Sequence, residues 1–364
     1  MTSVAVRRLG AQRLTGEPFS TPVEAVRWLG AVQSQDYAGA KWALGQRTRA
    51  ARDADLDRLF DEGTILRTHV MRPTWHFVLP ADVRWLLELT APRVRAALAH
   101  YDRQLELDRS VLRRSHRVLE SVLGGGSHLT RGELAAALAG SGIPAAGQRL
   151  GHLLMHAELD AVVVSGPRRG RQFTYALLDE RAPGARRLDR DEALGELTLR
   201  YFSGHGPAQA PDFAWWSGLT VADARRGLAL AGSALVHEVI DGRSYWSSPG
   251  APPAVEGGPV GHLLPNYDEF LVAYRDRTAA LDPERPLDTT PFPGGSILAH
   301  VVALDGQVRG GWKRRLHRGQ VVVELGPLDA LEAAEAAALH RAAAGLARFL
   351  DLPVTVAGAP GAGP

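Results

Sequence analysis

The stretch HLTRGEL, residues 128–134, determines how the middle of the chain is interpreted. Thr130 and Glu133 have the spacing of a capping box, so we expect a helix to start there. The surrounding pattern gives three helices and then two apolar strands that flank the turn GPRRG, residues 166–170. This order, with a basic hairpin tip, predicts a winged helix. The predicted helices span about 110–123, 130–139 and 147–157, and the strands 162–164 and 172–175.

The same plan recurs on both sides of this segment. Downstream, Asp241-Gly242 separates two apolar strands, a strong signal for a hairpin. Upstream, a looser copy has its wing strands on either side of Arg72-Pro73. The downstream copy comprises helices at 191–202, 210–217 and 220–230 and strands at 234–240 and 243–246; the upstream copy comprises helices at 21–32, 38–46 and 54–60 and strands at 65–71 and 74–79.

Beyond a Pro- and Gly-rich stretch at 249–259, interpreted as a linker, the pattern changes to strands and then to an Ala-rich helix at 328–350. The expected strands are 262–264, 270–273, 298–303, 307–312 and 320–325. The predicted fold class is α+β, with about three tandem winged-helix modules, a C-terminal β-rich region and a closing helix. The predicted segments are 1–104, 105–182, 188–248, 259–352 and a flexible tail at 353–364.

Composition limits the classes of site that the chain can build. Of its 364 residues, 45% are hydrophobic and 23% charged, as in ordinary globular proteins, and the net charge is +2. With no cysteine, disulfides, thiolate zinc sites and iron–sulfur clusters are excluded. No apolar run has membrane-spanning length and the N-terminus does not resemble a signal peptide, so a cytoplasmic, nucleoid-associated protein is expected.

The basic residues are more informative in position than in number. Only Lys41 and Lys313 of the 42 are lysine, a bias that a GC-rich genome explains in large part. Two arginine-rich groups nevertheless fall where hairpin tips are expected, and guanidinium groups at exposed tips suit phosphate recognition. The predicted DNA-binding side chains are Arg168, Arg169, Arg171, Lys313, Arg314 and Arg315.

Gln33-Ser34-Gln35-Asp36 is the candidate catalytic segment. It follows an apolar helix, so it could equally be a plain polar helix exit. In the functional interpretation, the two amides act together on a water molecule and a sugar. Residues i and i+2 share a face in an extended segment but diverge by about 200° on a helix. A joint role therefore requires non-helical backbone here.

Two amides suit glycosidic cleavage only where the leaving group is already activated. Ordinary glycosidases use two carboxyl groups because an alkoxide leaves badly. A purine alkylated on its imidazole nitrogen is cationic and leaves as a neutral base, so it needs little acid assistance. Amide oxygens can hold the attacking water and stabilise positive charge on the sugar.

Other polar residues have two interpretations each. Arg67, His69, Arg72 and His76 lie on the presumed wing strands of the first module, where they could contact DNA or simply hold the fold together. The segment 266–269, NYDE, could brace a cleft or form a structural turn.

Two further patterns resemble known sites but are set aside. His152 and His156 are spaced like zinc ligands, but Leu153 stands where a metalloprotease needs its glutamate, so no metal is expected. The run Gly124-Gly125-Gly126 follows no strand and is interpreted as a linker and not a phosphate loop.

Four segments resemble those of the AlkZ-like winged-helix DNA glycosylases, and together they span nearly the whole chain. They are QSQ at 33–35, LRTHVMRPTWH at 66–76, LPNYDEFLVAYRDR at 264–277 and GGWKR at 310–314. The resemblance implies tandem winged helices arranged as a C around DNA, with Gln33 and Gln35 as the catalytic pair. The broader bacterial branch carries Gln-x-Asp, so this chain resembles the Gln-x-Gln, azinomycin-resistance branch. Supporting roles are considered for Asp36, His69, Arg72 and Asp268.

The expected activity is hydrolysis of the N-glycosidic bond of a bulky alkylated or crosslinked guanine, leaving an abasic site. The enzyme is expected to be a monofunctional, monomeric glycosylase that needs neither cofactor nor metal. Its expected partner is double-stranded DNA carrying alkylated purines, in repair or in self-resistance to a genotoxic natural product. The alternatives are a non-catalytic winged-helix regulator and a general glycosylase for small alkylpurines.

Overall fold

The computed structural model describes residues 3–250, 258–282, 292 and 295–357. Most of the predicted linker and the last seven residues of the predicted tail lie outside these ranges. Within them, no helix is both long enough and apolar enough to cross a membrane.

The N-terminal segment contains helices and strands near the predicted positions, together with two helices that the sequence pattern did not predict. The missed helices are the first and the last of the segment. The strands β2 and β3 pair in antiparallel register, with Leu66 opposite Val78. The elements are α1 Val4–Ala11, α2 Pro22–Leu29, β1 Val32–Gln33, α3 Tyr37–Gln46, α4 Asp53–Glu62, β2 Leu66–His69, β3 Trp75–Val78 and α5 Val83–Gln104.

The next segment follows the predicted order of elements. Its capping box is present: the Thr130 hydroxyl accepts from the Glu133 backbone N–H, and the Glu133 carboxylate accepts from the Thr130 N–H. Leu119, Leu134 and Leu153, one from each of the three helices, meet in its core. The elements are α6 Arg109–Leu123, β4 Leu129–Thr130, α7 Arg131–Gly140, α8 Gly147–Leu159, β5 Val163–Ser165, β6 Thr174–Leu177 and α9 Leu178–Arg181.

The third set of helices and its hairpin also lie within a few residues of their predicted bounds. Asp241 and Gly242 have φ of 50° and 74°, as a two-residue hairpin turn requires. The elements are α10 Arg190–His205, α11 Ala210–Ser217, α12 Val221–Ala231, a 3₁₀ turn Gly232–Ala234, β7 Val236–Ile240 and β8 Arg243–Ser247.

The C-terminal region is built on a five-stranded sheet in the order β13-β12-β11-β10-β9. Neighbouring strands are antiparallel except β12 and β13, which are parallel. The elements are β9 Gly261–Leu264, α13 Glu269–Val272, a 3₁₀ turn Thr278–Ala280, β10 Val301–Leu304, β11 Gln307–His317, β12 Gln320–Pro327, α14 Ala333–Leu350 and β13 Val354–Ala357.

Two predictions for this region are wrong. The expected strand at 270–273 is the short helix α13, because the Asp268 carboxylate accepts the Phe270 N–H at 2.9 Å and caps a helical turn. The expected flexible tail contains an ordered strand, because Val354–Ala357 pairs with the sheet edge at β12.

The chain forms two compact units that do not follow the predicted segments. Unit 1 comprises Met1–Leu56, Leu197–Trp216 and Val221–Pro364, and unit 2 comprises Asp57–Glu196 and Ser217–Thr220. In unit 1, Leu9, Phe270 and Val301 belong to one buried cluster. The Gln-x-Gln segment is in unit 1, together with all of the sheet that carries β9 to β13.

Candidate active site

The Gln-x-Gln segment is not helical, as a shared role of its two amides requires. Helix α2 ends at Leu29 and is followed by Gly30 at a φ of 79°, a conformation that favours glycine. The next helix begins only at Tyr37, so the motif occupies the connection between α2 and α3. Gln33 is buried, with 6% of its surface exposed, whereas Gln35 is exposed.

A fully buried carboxylate holds the backbone of the motif in place. The Gln33 N–H donates to Glu269 Oε1 at 3.0 Å. Trp216 Nε1 donates to the other oxygen, Oε2, at 2.8 Å, and His205 Nε2 lies 3.2 Å from that same oxygen. A buried carboxylate is stabilised only when its oxygens are hydrogen-bonded, and these contacts satisfy that requirement. The position of Gln33 is therefore set by α13 and the helices α10 and α11.

Asp36 is engaged in two structural contacts. Its Oδ1 accepts the Gly39 N–H at 3.0 Å and so caps α3, while its Oδ2 accepts from Asn266 Nδ2 at 2.9 Å. Space is tight here, because a Cβ at Gly39 would come within 2.8 Å of the Asp36 carboxylate. Asp36 therefore ties the end of the motif to the turn before α13.

His300 adds a neutral imidazole close to this carboxylate. Burial lowers the pKa of His300, while the Asp36 carboxylate opposes this effect and Arg314 adds to it. The imidazole is therefore neutral near pH 7. Its Nε2 is buried and has no hydrogen-bond partner among the described residues. Its ring packs edge-on against Trp312, with centroids 4.8 Å apart.

Asp268, considered above as a supporting residue, is part of a buried ion pair. Its oxygens accept from the two terminal nitrogens of Arg47 at 2.7 and 2.9 Å, and both side chains are buried. Arg47 also donates to Gln12 Oε1 at 2.7 Å, and Gln12 Nε2 donates to the Glu269 carbonyl oxygen. Asp268 thus braces the turn that carries Glu269.

His69 and Arg72 belong to unit 2, where both have partners. His69 Nδ1 bonds the buried carboxylate of Glu158, and its ring lies 4.3 Å from that of Trp75. An Arg72 terminal nitrogen lies 3.5 Å from His76 Nε2. Burial, reinforced by Arg72, lowers the pKa of His76 well below its usual value. Their support of catalysis stays a prediction.

The arginines of the β5–β6 hairpin differ in their surroundings. Arg168 is paired with both Asp57 and Asp61 at 2.9 Å. Arg169 is paired with Glu133 at 2.7 Å, and Arg171 is exposed. A DNA phosphate would have to compete with these carboxylates for Arg168 and Arg169.

Lys313, Arg314 and Arg315 lie on β11, and not at a hairpin tip as the sequence suggested. The register places His317 opposite Gln320, so the tip is Arg318-Gly319. Both tip residues have positive φ, which a two-residue hairpin turn requires. Lys313 and Arg315 are exposed, and Arg315 is paired with Glu324 at 2.5 Å.

Sequence patterns did not single out Glu269, His205, Trp216 or His300 individually. Glu269 lies 236 positions from Gln33 in the chain, and no local spacing connects them. The available signal was the crowding of polar groups in the NYDE segment, 266–269, directly before an apolar run.

Comparison with known proteins gives the family. The AlkZ-like DNA glycosylase family model matches residues 26–349. The fold is similar to that of Streptomyces sahachiroi DNA glycosylase AlkZ, with a TM-score of 0.78 and 22% sequence identity over 97% of this chain and 98% of that chain. No curated protein sequence matches the chain. The family match covers most of the chain, and the chain therefore belongs to the AlkZ-like DNA glycosylase family and is a DNA glycosylase.

Proposed function

We propose that this glycosylase hydrolyses the N-glycosidic bond of guanines carrying bulky alkyl groups or crosslinks on an imidazole nitrogen. The observation that carries the proposal is the non-helical Gln-x-Gln segment, anchored through Gln33 to the buried Glu269. Gln33 and Gln35 hold the attacking water and stabilise the positive charge that develops on the sugar.

The proposed substrate is one that needs no strong acid, because Gln33, Gln35 and their neighbours supply none. Asp36, the carboxylate directly after the motif, already accepts hydrogen bonds from Gly39 and Asn266, so it suits a positioning role better than that of a general base. Neutral His300 and the two amides supply no strong acid near pH 7. Such a site favours a leaving group that is already cationic, as an imidazole-alkylated guanine is.

Family membership sets the non-catalytic regulator aside, so the remaining alternative is a glycosylase for small methyl adducts. The test is a single-turnover comparison of 7-methylguanine release with release of a bulky natural-product guanine adduct in the same duplex. We expect faster release of the bulky base. Equal or faster release of 7-methylguanine would identify a general alkylpurine enzyme.

The enzyme is expected to leave the abasic strand intact. Strand cleavage by a glycosylase requires an amine that forms a Schiff base. Lys41 Nζ is 2.7 Å from Asp53 Oδ2, and the lysine side chain is buried, so this amine is already held by a carboxylate. Borohydride should therefore trap no covalent protein–DNA adduct. Trapping by the wild type that is lost in Lys41→Arg or in Lys313→Arg would contradict the monofunctional assignment.

Contacts between β11 and DNA phosphates should make the DNA affinity depend on the salt concentration. Lys313→Ala combined with Arg314→Ala should weaken DNA binding and reduce the slope of log affinity against log salt by about two units, one for each lost phosphate contact. The matched control is Arg93→Ala with Arg113→Ala, two exposed arginines on α5 and α6 outside the predicted contacts. An unchanged slope in the β11 variant would place the DNA elsewhere.

At the β5–β6 hairpin, the second predicted DNA-binding surface, loss of stability has to be separated from loss of DNA binding. Because Arg168 pairs with both Asp57 and Asp61, its replacement removes a positive partner from each of these carboxylates. We therefore expect Arg168→Ala to lower the thermal stability, and Arg171→Ala to be the informative variant for DNA binding at this hairpin.

A further inference from the structure

Three side chains of types that can ligate a metal converge in unit 2, well away in sequence from the Gln-x-Gln segment. Asp102 comes from α5, and His152 and His156 come from one face of α8. His152 Nδ1 is 3.1 Å from Asp102 Oδ1, and His156 Nε2 is 3.0 Å from both carboxylate oxygens. All three groups offer ligand atoms within 4.8 Å of one another.

The spacing of these atoms is close to that of a metal coordination shell. Zinc bonds of 2.0–2.2 Å in tetrahedral geometry place neighbouring ligand atoms about 3.3 Å apart. The histidine–carboxylate distances of 3.0–3.1 Å lie slightly below this value, so modest side-chain rotation would open room for an ion. The side chains are largely buried, with 3–15% of their surfaces exposed, which limits competition from bulk water.

The donor set selects the class of ion. Two imidazole nitrogens and one carboxylate oxygen suit zinc, cobalt and nickel, whereas calcium and magnesium prefer oxygen ligands alone. We propose that Asp102, His152 and His156 form a zinc-type divalent cation site that joins α5 to α8 within unit 2. With three protein ligands, the fourth tetrahedral position is left for water.

The sequence alone favoured no metal at these histidines, and a structural site escapes that expectation for a physical reason. The His-x-x-x-His spacing matches a metalloprotease motif, but in this chain Leu153 stands in the place of the catalytic glutamate. A site that ties two helices together needs no such base. Its third ligand, Asp102, comes from another helix, 50 positions before His152, and no local motif connects the two.

The competing explanation is a carboxylate that accepts hydrogen bonds from two imidazoles without any ion. Cobalt titration of the full-length, chelator-treated wild-type protein distinguishes the two. One equivalent of Co²⁺ should produce the visible absorption bands of tetrahedral cobalt, and one equivalent of Zn²⁺ should abolish them. Zinc at about 100 times its Kd should also raise the Tm by roughly 5 °C or more.

Variants of Asp102 and His152 test whether the ion binds at these side chains. Asp102→Asn preserves the shape of the side chain but replaces the carboxylate by a poor zinc ligand, and His152→Gln removes one imidazole. Both should lose the cobalt bands and the zinc-dependent rise in Tm. His100→Ala, an exposed histidine on the same helix as Asp102, should keep both. Absence of cobalt bands in the wild type would overturn the proposal whether or not the variants fold, as would unchanged bands in folded Asp102→Asn.

Discussion

Gln33→Ala and Gln35→Ala should each excise a bulky guanine adduct roughly a hundredfold more slowly than the wild type. Loss of one preorganised polar contact to a transition state costs on the order of 3 kcal/mol, which gives that factor. The affinity for the damaged duplex should change little, because the amides act on the water and on the developing charge. Single-turnover excision and equilibrium binding, measured on the same DNA, separate the two effects.

The structure supplies controls for this experiment. Gln104→Ala removes an exposed amide at the end of α5 and should leave excision unchanged. Because the backbone N–H of Gln33 donates to Glu269, Gln33→Ala retains that anchor and should fold normally. Wild-type excision rates in both alanine variants would show that the chemistry lies elsewhere on the protein.

The pH profile gives an independent readout. Amides do not titrate, and His300 is neutral near pH 7 because burial lowers its pKa, so the wild-type rate should be flat across neutral pH. Gln35→Asp should retain some activity, since a carboxylate can hold the same water. Its rate should fall as the pH drops through the carboxylate pKa, near four if unperturbed, because only the ionised form attracts the cationic sugar.

Sequence periodicity predicted the elements whose signals are local. The Thr130–Glu133 capping box and the Asp241-Gly242 turn each lie within a few residues, and both are present. The short run at 270–273 was ambiguous because four apolar residues fit a strand or one helical turn. The Asp268 cap decides between them, and the long-range ion pair with Arg47 holds that aspartate in place.

Of the candidate site, only the Gln-x-Gln motif could be predicted from the sequence. Gln33 and Gln35 follow from residue type and from the family resemblance. The groups that position Gln33 do not, because Glu269, which contacts the Gln33 backbone, and its partners His205 and Trp216 are all far from the motif in sequence. Contacts of this kind form only when the chain has folded, so a single sequence shows the polar residues without their partners.

Breaking the buried Arg47–Asp268 pair should have the largest effect on stability. Arg47→Met leaves Asp268 as a buried charge whose two arginine hydrogen bonds are lost, a change that typically costs 3–5 kcal/mol. Urea denaturation should show the loss as a lower midpoint. Arg49→Ala is the matched control two residues away: its partner Glu17 and Arg49 itself are 70% and 65% exposed, and such pairs contribute at most about 1 kcal/mol.

The double variant Arg47→Met with Asp268→Leu tests why the single change is costly. If the penalty comes from an uncompensated buried carboxylate, removing that carboxylate should restore part of the lost stability, and the coupling in the double-mutant cycle should exceed about 1 kcal/mol. Asp268 also caps α13 through the Phe270 N–H, so the recovery should be incomplete. Additive effects of the two substitutions would show that the two charges do not stabilise each other. The turn that presents Glu269 to Gln33 would then be held by the cap and by Gln12.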